Sequence, residues 1–173
     1  IYVSSNRRIY RSTDGGVNWT NMTTNLTGLN LGGFPNFDFW RVNLAVTPAA
    51  PERVYAHLFG ADDNGVKTRY LYVYDGTSWN YIHHRTSGGK DLVPNWLAIA
   101  VSPIDPEAVY LGDSDVDGSS NIQVINISNA AAYLSSGYHA DTHDLVFEPQ
   151  SQDPSSPRPV SYTHLTLPTM LWV

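Results

Sequence analysis

A twelve-residue pattern recurs in this chain, and that duplication limits its possible folds more than any other feature. Leu44-Ala-Val-Thr-Pro48-Ala-Ala-Pro51-Glu-Arg-Val54-Tyr55 returns as Ile99-Ala-Val-Ser-Pro103-Ile-Asp-Pro106-Glu-Ala-Val109-Tyr110, every matched position shifted by 55. A third copy begins at Leu145-Val-Phe-Glu-Pro149, 46 residues after Pro103, and Ile1-Tyr2-Val3 matches the Val-Tyr end of the unit. Self-similarity at this period marks repeat architectures, in which one supersecondary unit buries its apolar face against the next. Apolar alternation on both sides of a Pro-bounded turn suits strands, because Pro stops the ladder from continuing. Each unit therefore reads strand, Pro turn, strand, hairpin, strand. Helical periodicity is nearly absent, and Ala130–Leu134 is the one short helical candidate.

A second element punctuates the units. Ser12-Thr-Asp14-Gly-Gly16-Val-Asn-Trp19 precedes a Thr-rich strand end, and Tyr74-Asp75-Gly76-Thr-Ser-Trp79 occupies the same place in the next unit, one residue shorter. Asp-Gly asks for a tight turn with positive φ, whose backbone N–H groups the carboxylate can cap, leaving the Trp to pack between sheets. The first copy matches the Asp-box pattern, Ser/Thr-x-Asp-x-Gly-x-x-Trp, at every defined position, while the second is degenerate and the third unit (Asn121–Ser128) has lost it. Over about residues 1–150 the chain thus resembles the Asp-box (BNR) repeat β-propellers, a group that includes sialidases, xyloglucanase-type glycoside hydrolases and sortilin-like receptor domains.

The resemblance implies an all-β fold, an incomplete β-propeller of four-stranded antiparallel blades. Residues 1–27 would end one blade, 36–84 form a complete blade, 91–137 form another, and 139–150 supply the first strand of the next. Under three blades cannot close a ring of four to eight, so the chain is expected to be a fragment of a larger protein. The box lies on the outer turn between third and fourth strands. Ser12, Asp14, Gly16, Trp19, Asp75, Gly76 and Trp79 are accordingly expected to be structural.

Residues 151–173 match no position of the repeat and are expected to be a non-native or disordered tail. From Pro159 onward the string carries no charged side chain, and Val160-Ser-Tyr-Thr-His-Leu-Thr-Leu-Pro-Thr169 resembles translated sequencing-adaptor read-through.

Composition removes several function classes. The 173 residues carry a net charge of −6 with two lysines (Lys67 and Lys90), so no basic stripe offers itself to nucleic acid. The absence of Cys excludes a disulfide scaffold, a thiolate zinc site and a Cys nucleophile. No apolar run reaches the roughly 18 residues of a membrane-spanning helix. Five Trp and eleven Tyr argue against disorder. A secreted or cell-surface, bacterial origin follows from the family resemblance together with the acidic, Lys-poor composition.

The strongest chemical constellation is His139-Ala-Asp141-Thr-His143-Asp144, leading into the innermost strand of the fourth unit. The segment resembles a His-x-Asp-x-His-Asp stretch of secreted sortilin-like and glycosidase-like repeat proteins, and in a propeller it would enter at the mouth of the central channel. Alternation points His139, Asp141 and His143 one way. Registering the units on Pro48, Pro103 and Pro149 aligns Trp40, Asn95 and Asp141, then Arg41, Trp96 and Thr142, then Val42, Leu97 and His143. Two units thus offer aromatic groups where the third offers acid and imidazole, and Trp faces stack on sugar rings.

The expected ligand site is therefore His139, Asp141, His143, Trp40, Arg41 and Trp96. Its expected partner is a glycan or an extracellular protein. The alternative is a xyloglucanase-like glycoside hydrolase with Asp141 or Asp144 as one carboxylate and the other on an absent blade. A third reading is a structural spacer. Sialidase chemistry is unsupported, because it implies an arginine triad and Arg41 alone falls near the channel mouth.

No cofactor is expected. Asp113-Ser-Asp115-Val-Asp117-Gly118 resembles the first half of a calcium loop, but an EF-hand would also need Glu where Val124 stands, and the segment aligns with the hairpin Gly60–Gly65. His83-His84 is expected at the surface. The sequons at Asn18, Asn21, Asn25 and Asn126 matter only in a eukaryotic secretory host.

Overall fold

The computed structural model describes residues 1–5, 8–23, 26, 38–61, 65–86, 97–114, 120–136, 142, 144–148 and 159–162. It is all-β, and no α-helix occurs among these residues. The first sheet comprises β1 (Tyr2–Ser5), β2 (Arg8–Arg11) and β3 (Thr20–Asn21). The second comprises β4 (Asp38–Ala45), β5 (Val54–Ala61), β6 (Lys67–Tyr74) and β7 (Trp79–Thr86). β8 (Ala98–Val101), β9 (Ala108–Ser114), β10 (Ser120–Asn126) and β11 (Ala131–Ser136) form the third, and β12 (Asp144–Phe147) with β13 (Pro159–Tyr162) the fourth. Within each sheet, sequence neighbours pair antiparallel in chain order.

The repeat explains where the strands stop. In the second sheet the turn after Thr47 is closed by Ala50 N to Thr47 O (3.3 Å) and Arg53 N to Ala50 O (3.0 Å). At the equivalent place, 55 residues on, Ser102 Oγ accepts from Ile104 N at 3.4 Å and Asp105 N at 3.2 Å. Pro48 and Pro103 fill the positions where a donor would go unused.

Three apolar layers separate the four sheets. Ile9, Met22 and Leu26 of the first-sheet region meet Val42, Val54, Leu58, Tyr72 and Trp79. Tyr55, Leu71 and Val73, on the opposite face of the second sheet, meet Ile99, Val109, Leu111 and Ile125. Ala98, Ala100 and Ile122 of the third sheet meet Leu145, with Tyr110 and Phe147 closing the layer edge-to-face at 5.1 Å. The second sheet is therefore covered on both faces, and all eight residues of β5 are buried. Each large apolar side chain so buried contributes about 1.5–3 kcal/mol.

Two sequence expectations change. Ala130–Leu134 is not helical: Ala130 takes φ 54° and Ala131 opens β11, paired to β10 over six positions. A five-residue apolar run has no intrinsic preference strong enough to resist a waiting strand edge. Within the expected tail, Pro159–Tyr162 is a strand, pairing with β12 from Asp144–Tyr162 to Phe147–Pro159.

One close approach depends on a missing side chain. Gly112 of β9 lies opposite Ala98, and a Cβ on it would meet Thr142 Cγ2 at 2.7 Å and Ala98 Cβ at 2.8 Å. Thr142, fully buried, leads the chain into β12. Gly112→Ala is expected to cost about 1–3 kcal/mol through overpacking, read as a lowered urea midpoint at unchanged m.

His57, 2% exposed on β5, stands in the second layer with Nδ1 3.2 Å from Ala98 O. The carbonyl requires that this nitrogen carry the proton. Burial first, and the Arg69 charge second, push its pKa down to about 3. The unfolded chain takes up that proton near pH 6.5, so acid favours unfolding across this window. Stability should rise with pH between about 3 and 6.5 by up to ~1.4 kcal/mol per pH unit, and the slope should flatten in His57→Gln, measured by urea unfolding from pH 4 to 7.

Candidate functional site

The four sheets share one cavity. It measures about 270 Å³ and is lined by Tyr2, Val3 and Ser4 of β1, Asn43 and Leu44 of β4, Ile99 of β8 and Asp144 of β12. Every sheet contributes one strand. Ile99 is buried, Asn43 and Leu44 are half-buried, and Ser4 and Asp144 are exposed, so the cavity opens from the apolar layers toward solvent.

Its polar side chains are anchored by the backbone. Ser4 Oγ donates to Val42 O at 3.0 Å, from the first sheet to the second. Asn43 Nδ2 donates to Leu97 O, from the second sheet to the third. Asp144 Oδ1 accepts from Leu145 N at 2.9 Å. The Tyr2 ring lies tilted by 59° to that of Tyr74, 6.4 Å between centres, with the Arg11 guanidinium 5.7 Å over its own centre. Burial, the larger effect, raises the Tyr2 pKa, so the phenol stays protonated.

Of the expected ligand residues, His139, Asp141, His143 and Trp96 lie outside the described residues. Trp40 and Arg41 do not line the cavity. A β-bulge between Phe39 and Arg41 leaves Trp40 as the extra residue, and its ring sits edge-on to Phe59 at 5.4 Å, 36% exposed. A bulge re-aims a side chain and breaks simple alternation at this point of β4. Thr142, aligned with Arg41, is instead fully buried against Gly112. Asp144, a candidate carboxylate, does line the cavity.

Ser4, Asn43 and Tyr2 were not expected. Asn43 and Asp144 both stand five residues before their Pro, as does Ala98. The same registration carried one layer further would have paired them. Nothing in the sequence brings β1 beside them.

The Asp turns are built as tight carboxylate caps. Asp14 accepts from Asn18 N at 2.9 Å, from Asn18 Nδ2 at 2.7 Å and from Ser12 Oγ at 2.8 Å, while Ser12 Oγ accepts from Gly16 N at 2.8 Å. Asp75 accepts from the N–H groups of Thr77 and Ser78, both at 2.8 Å, and from Asn80 Nδ2 at 2.9 Å. Gly16 and Gly76 take φ 97° and 99°, conformations that favour glycine. Trp79 enters the first apolar layer, but Trp19 stays 42% exposed. Among the described residues the second sheet meets two neighbouring sheets and the first meets one, which leaves Trp19 less covered.

His83 departs from its expected surface position. It is half-buried, with Nε2 3.3 Å from Gln123 Nε2, and joins His57, Arg69 and Gln123 around a cavity of about 10 Å³. That space suits one water molecule. β7 is an edge strand, but its face is covered by the third sheet. Asp115 and Asp117 lie outside the described residues, and Asp113 falls on β9. Among the described residues no group of three or more His, Asp or Glu gathers as a metal site, and no helix is long and apolar enough to cross a membrane.

Comparisons with family models, curated proteins and solved structures returned no match.

The bonds to Asn18, foremost from its backbone N–H, hold Asp14 down at about 2, and those from Ser78 foremost hold Asp75 lower still. A depressed carboxylate stabilises the fold fully above its unfolded value near 4 and ceases to do so as pH falls through the folded value. Asp14→Ala should therefore lower the thermal midpoint at pH 7 and 5, with the gap to wild type closing between about pH 4 and 2.

Proposed function

We propose that these four sheets are successive blades of a secreted Asp-box β-propeller whose shared cavity binds a glycan. The observation that carries the reading is the convergence of Ser4, Asn43 and Asp144, from three different sheets, on one open polar cavity. Support for the propeller comes from four antiparallel sheets stacked in chain order, three apolar layers between them, and Asp turns at the matching hairpin of the first two.

The cavity's chemistry suits a sugar. A carboxylate, an amide and a hydroxyl offer the planar and bidentate hydrogen bonding that vicinal hydroxyls take, and Tyr2 supplies an aromatic edge. A volume of about 270 Å³ lies just under the ~300–1,000 Å³ of small-molecule pockets, the scale of one ring rather than a folded partner.

Asp144 also favours a second reading, a glycoside hydrolase in which it is one of two carboxylates. That chemistry needs the second acid about 5–10 Å away. Asp144 is the sole acid among the described lining residues, so binding leads.

A glycan array followed by titration calorimetry tests the proposal. The chain is expected to bind at least one glycan, and Asp144→Ala to weaken it about tenfold or more, the loss typical of a hydrogen bond to a charged group. An array without a hit, or a hit indifferent to both Asp144→Ala and Ser4→Ala, leaves the spacer reading. Release of free sugar, abolished in Asp144→Asn, would favour hydrolysis.

A further inference from the structure

We infer that the cavity selects an amino sugar in its protonated form, pairing the ammonium group with Asp144 while ring hydroxyls donate to Asn43 and Ser4. The inference rests on the glycan reading and narrows it to a substrate class.

The argument comes from which polar atoms the fold leaves open. Ser4 Oγ–H is committed to Val42 O, and one Asn43 Nδ2–H is committed to Leu97 O. What these side chains can still offer is the Ser4 lone pairs, Asn43 Oδ1 and a single amide hydrogen. Asp144 adds a carboxylate that, among the described residues, accepts one bond, from Leu145 N. Among the described lining residues acceptors outnumber donors, even with the Tyr2 hydroxyl counted, and these residues carry one negative charge and no positive one.

No Lys or Arg is among the described lining residues: the Arg11 guanidinium is engaged over the Tyr2 ring, and Arg41, two residues before Asn43, does not line the cavity. A neutral sugar would satisfy the acceptors through its hydroxyls but leave the charge unmatched. A uronic or sialic acid would place a second carboxylate against Asp144. An ammonium group on the ring supplies three donors and the opposite charge, and such charge-assisted bonds are roughly twice as strong as neutral ones.

Nuclear magnetic resonance titrations of the full 173-residue chain with glucosamine, glucose, N-acetylglucosamine and ethanolamine, below the amine pKa and at low salt, decide the matter. Glucosamine is expected to bind about tenfold more tightly than glucose or N-acetylglucosamine. That preference should shrink toward parity at high salt, where an exposed pair is screened. In Asp144→Asn it should vanish, the glucosamine affinity falling to that of glucose in the same variant. Equal affinities for glucosamine and glucose overturn the inference and leave the glycan reading standing. Ethanolamine matching glucosamine overturns the sugar half, since the amine alone would then suffice. If no sugar shifts a resonance, the glycan reading itself fails and this inference with it.

Discussion

The double coverage of the second sheet holds the structure together. A sheet with one apolar face needs one partner, but β5 and β6 are apolar or buried on both faces and need two. Tyr72 and Leu58 point into one layer while Tyr55 and Leu71 point into the other. Removing either neighbour would bare a full apolar face, so the sheets on both sides are required for the middle one to be stable. Such stacking is close to one-dimensional: each unit contacts its neighbours, and stability accumulates unit by unit. Tyr72 Oη and Trp79 Nε1, both buried with no hydrogen-bond partner among the described residues, show how far the first layer favours apolar burial over polar satisfaction.

Register between sheets is set by a set of polar bonds that span nearly one repeat. Thr47 Oγ1 donates to Ser102 O at 2.6 Å, across 55 positions. Tyr55 Oη donates to Pro106 O at 2.7 Å, Arg53 pairs with Glu107 and Asn43 reaches Leu97 O, across 51 to 54 positions, and a shorter link of 41 positions joins His57 to Ala98 O. Neighbouring copies present the same or nearby positions to one another in all of these bonds but that of His57, so their spacing approaches the repeat spacing. Apolar layers resist sliding weakly because they are non-directional. Directional bonds to carbonyls supply the register, and they place Asn43 at the cavity wall.

Much of this was legible in the sequence. The duplicated Pro motif located β4, β5, β8 and β9 and the turns between them, because Pro and an alternating apolar pattern act locally. The Asp turns were legible for the same reason: the carboxylate, the glycine and the capped N–H groups lie within five residues. Features decided by distant partners were not legible. Ala131–Ser136 became a strand because β10 offered an edge. Trp40 is the extra residue of a bulge opposite Phe59 and Gly60, which alternation does not announce. His83 turned inward because the third sheet covers its face, and hairpin position alone does not reveal which face will be covered. The cavity joins β1 to β4, β8 and β12, and no local pattern predicts that meeting.

The position five residues before the conserved-spacing Pro shows why function can enter here without cost to the fold. In one copy it is Ala98, 1% exposed, filling the third apolar layer opposite Gly112. In another it is Asn43, whose amide ties the second sheet to the third. In the last it is Asp144, exposed, with one bond to the adjacent backbone N–H. Packing dictates the first and register the second, and among the described residues neither fixes the side chain of the third. A repeat protein can vary such a released position while its copies preserve the architecture, and fold alone says nothing about what that variation is for. The one charge in the described lining of the cavity therefore stands at the copy of this position that packing and register hold least.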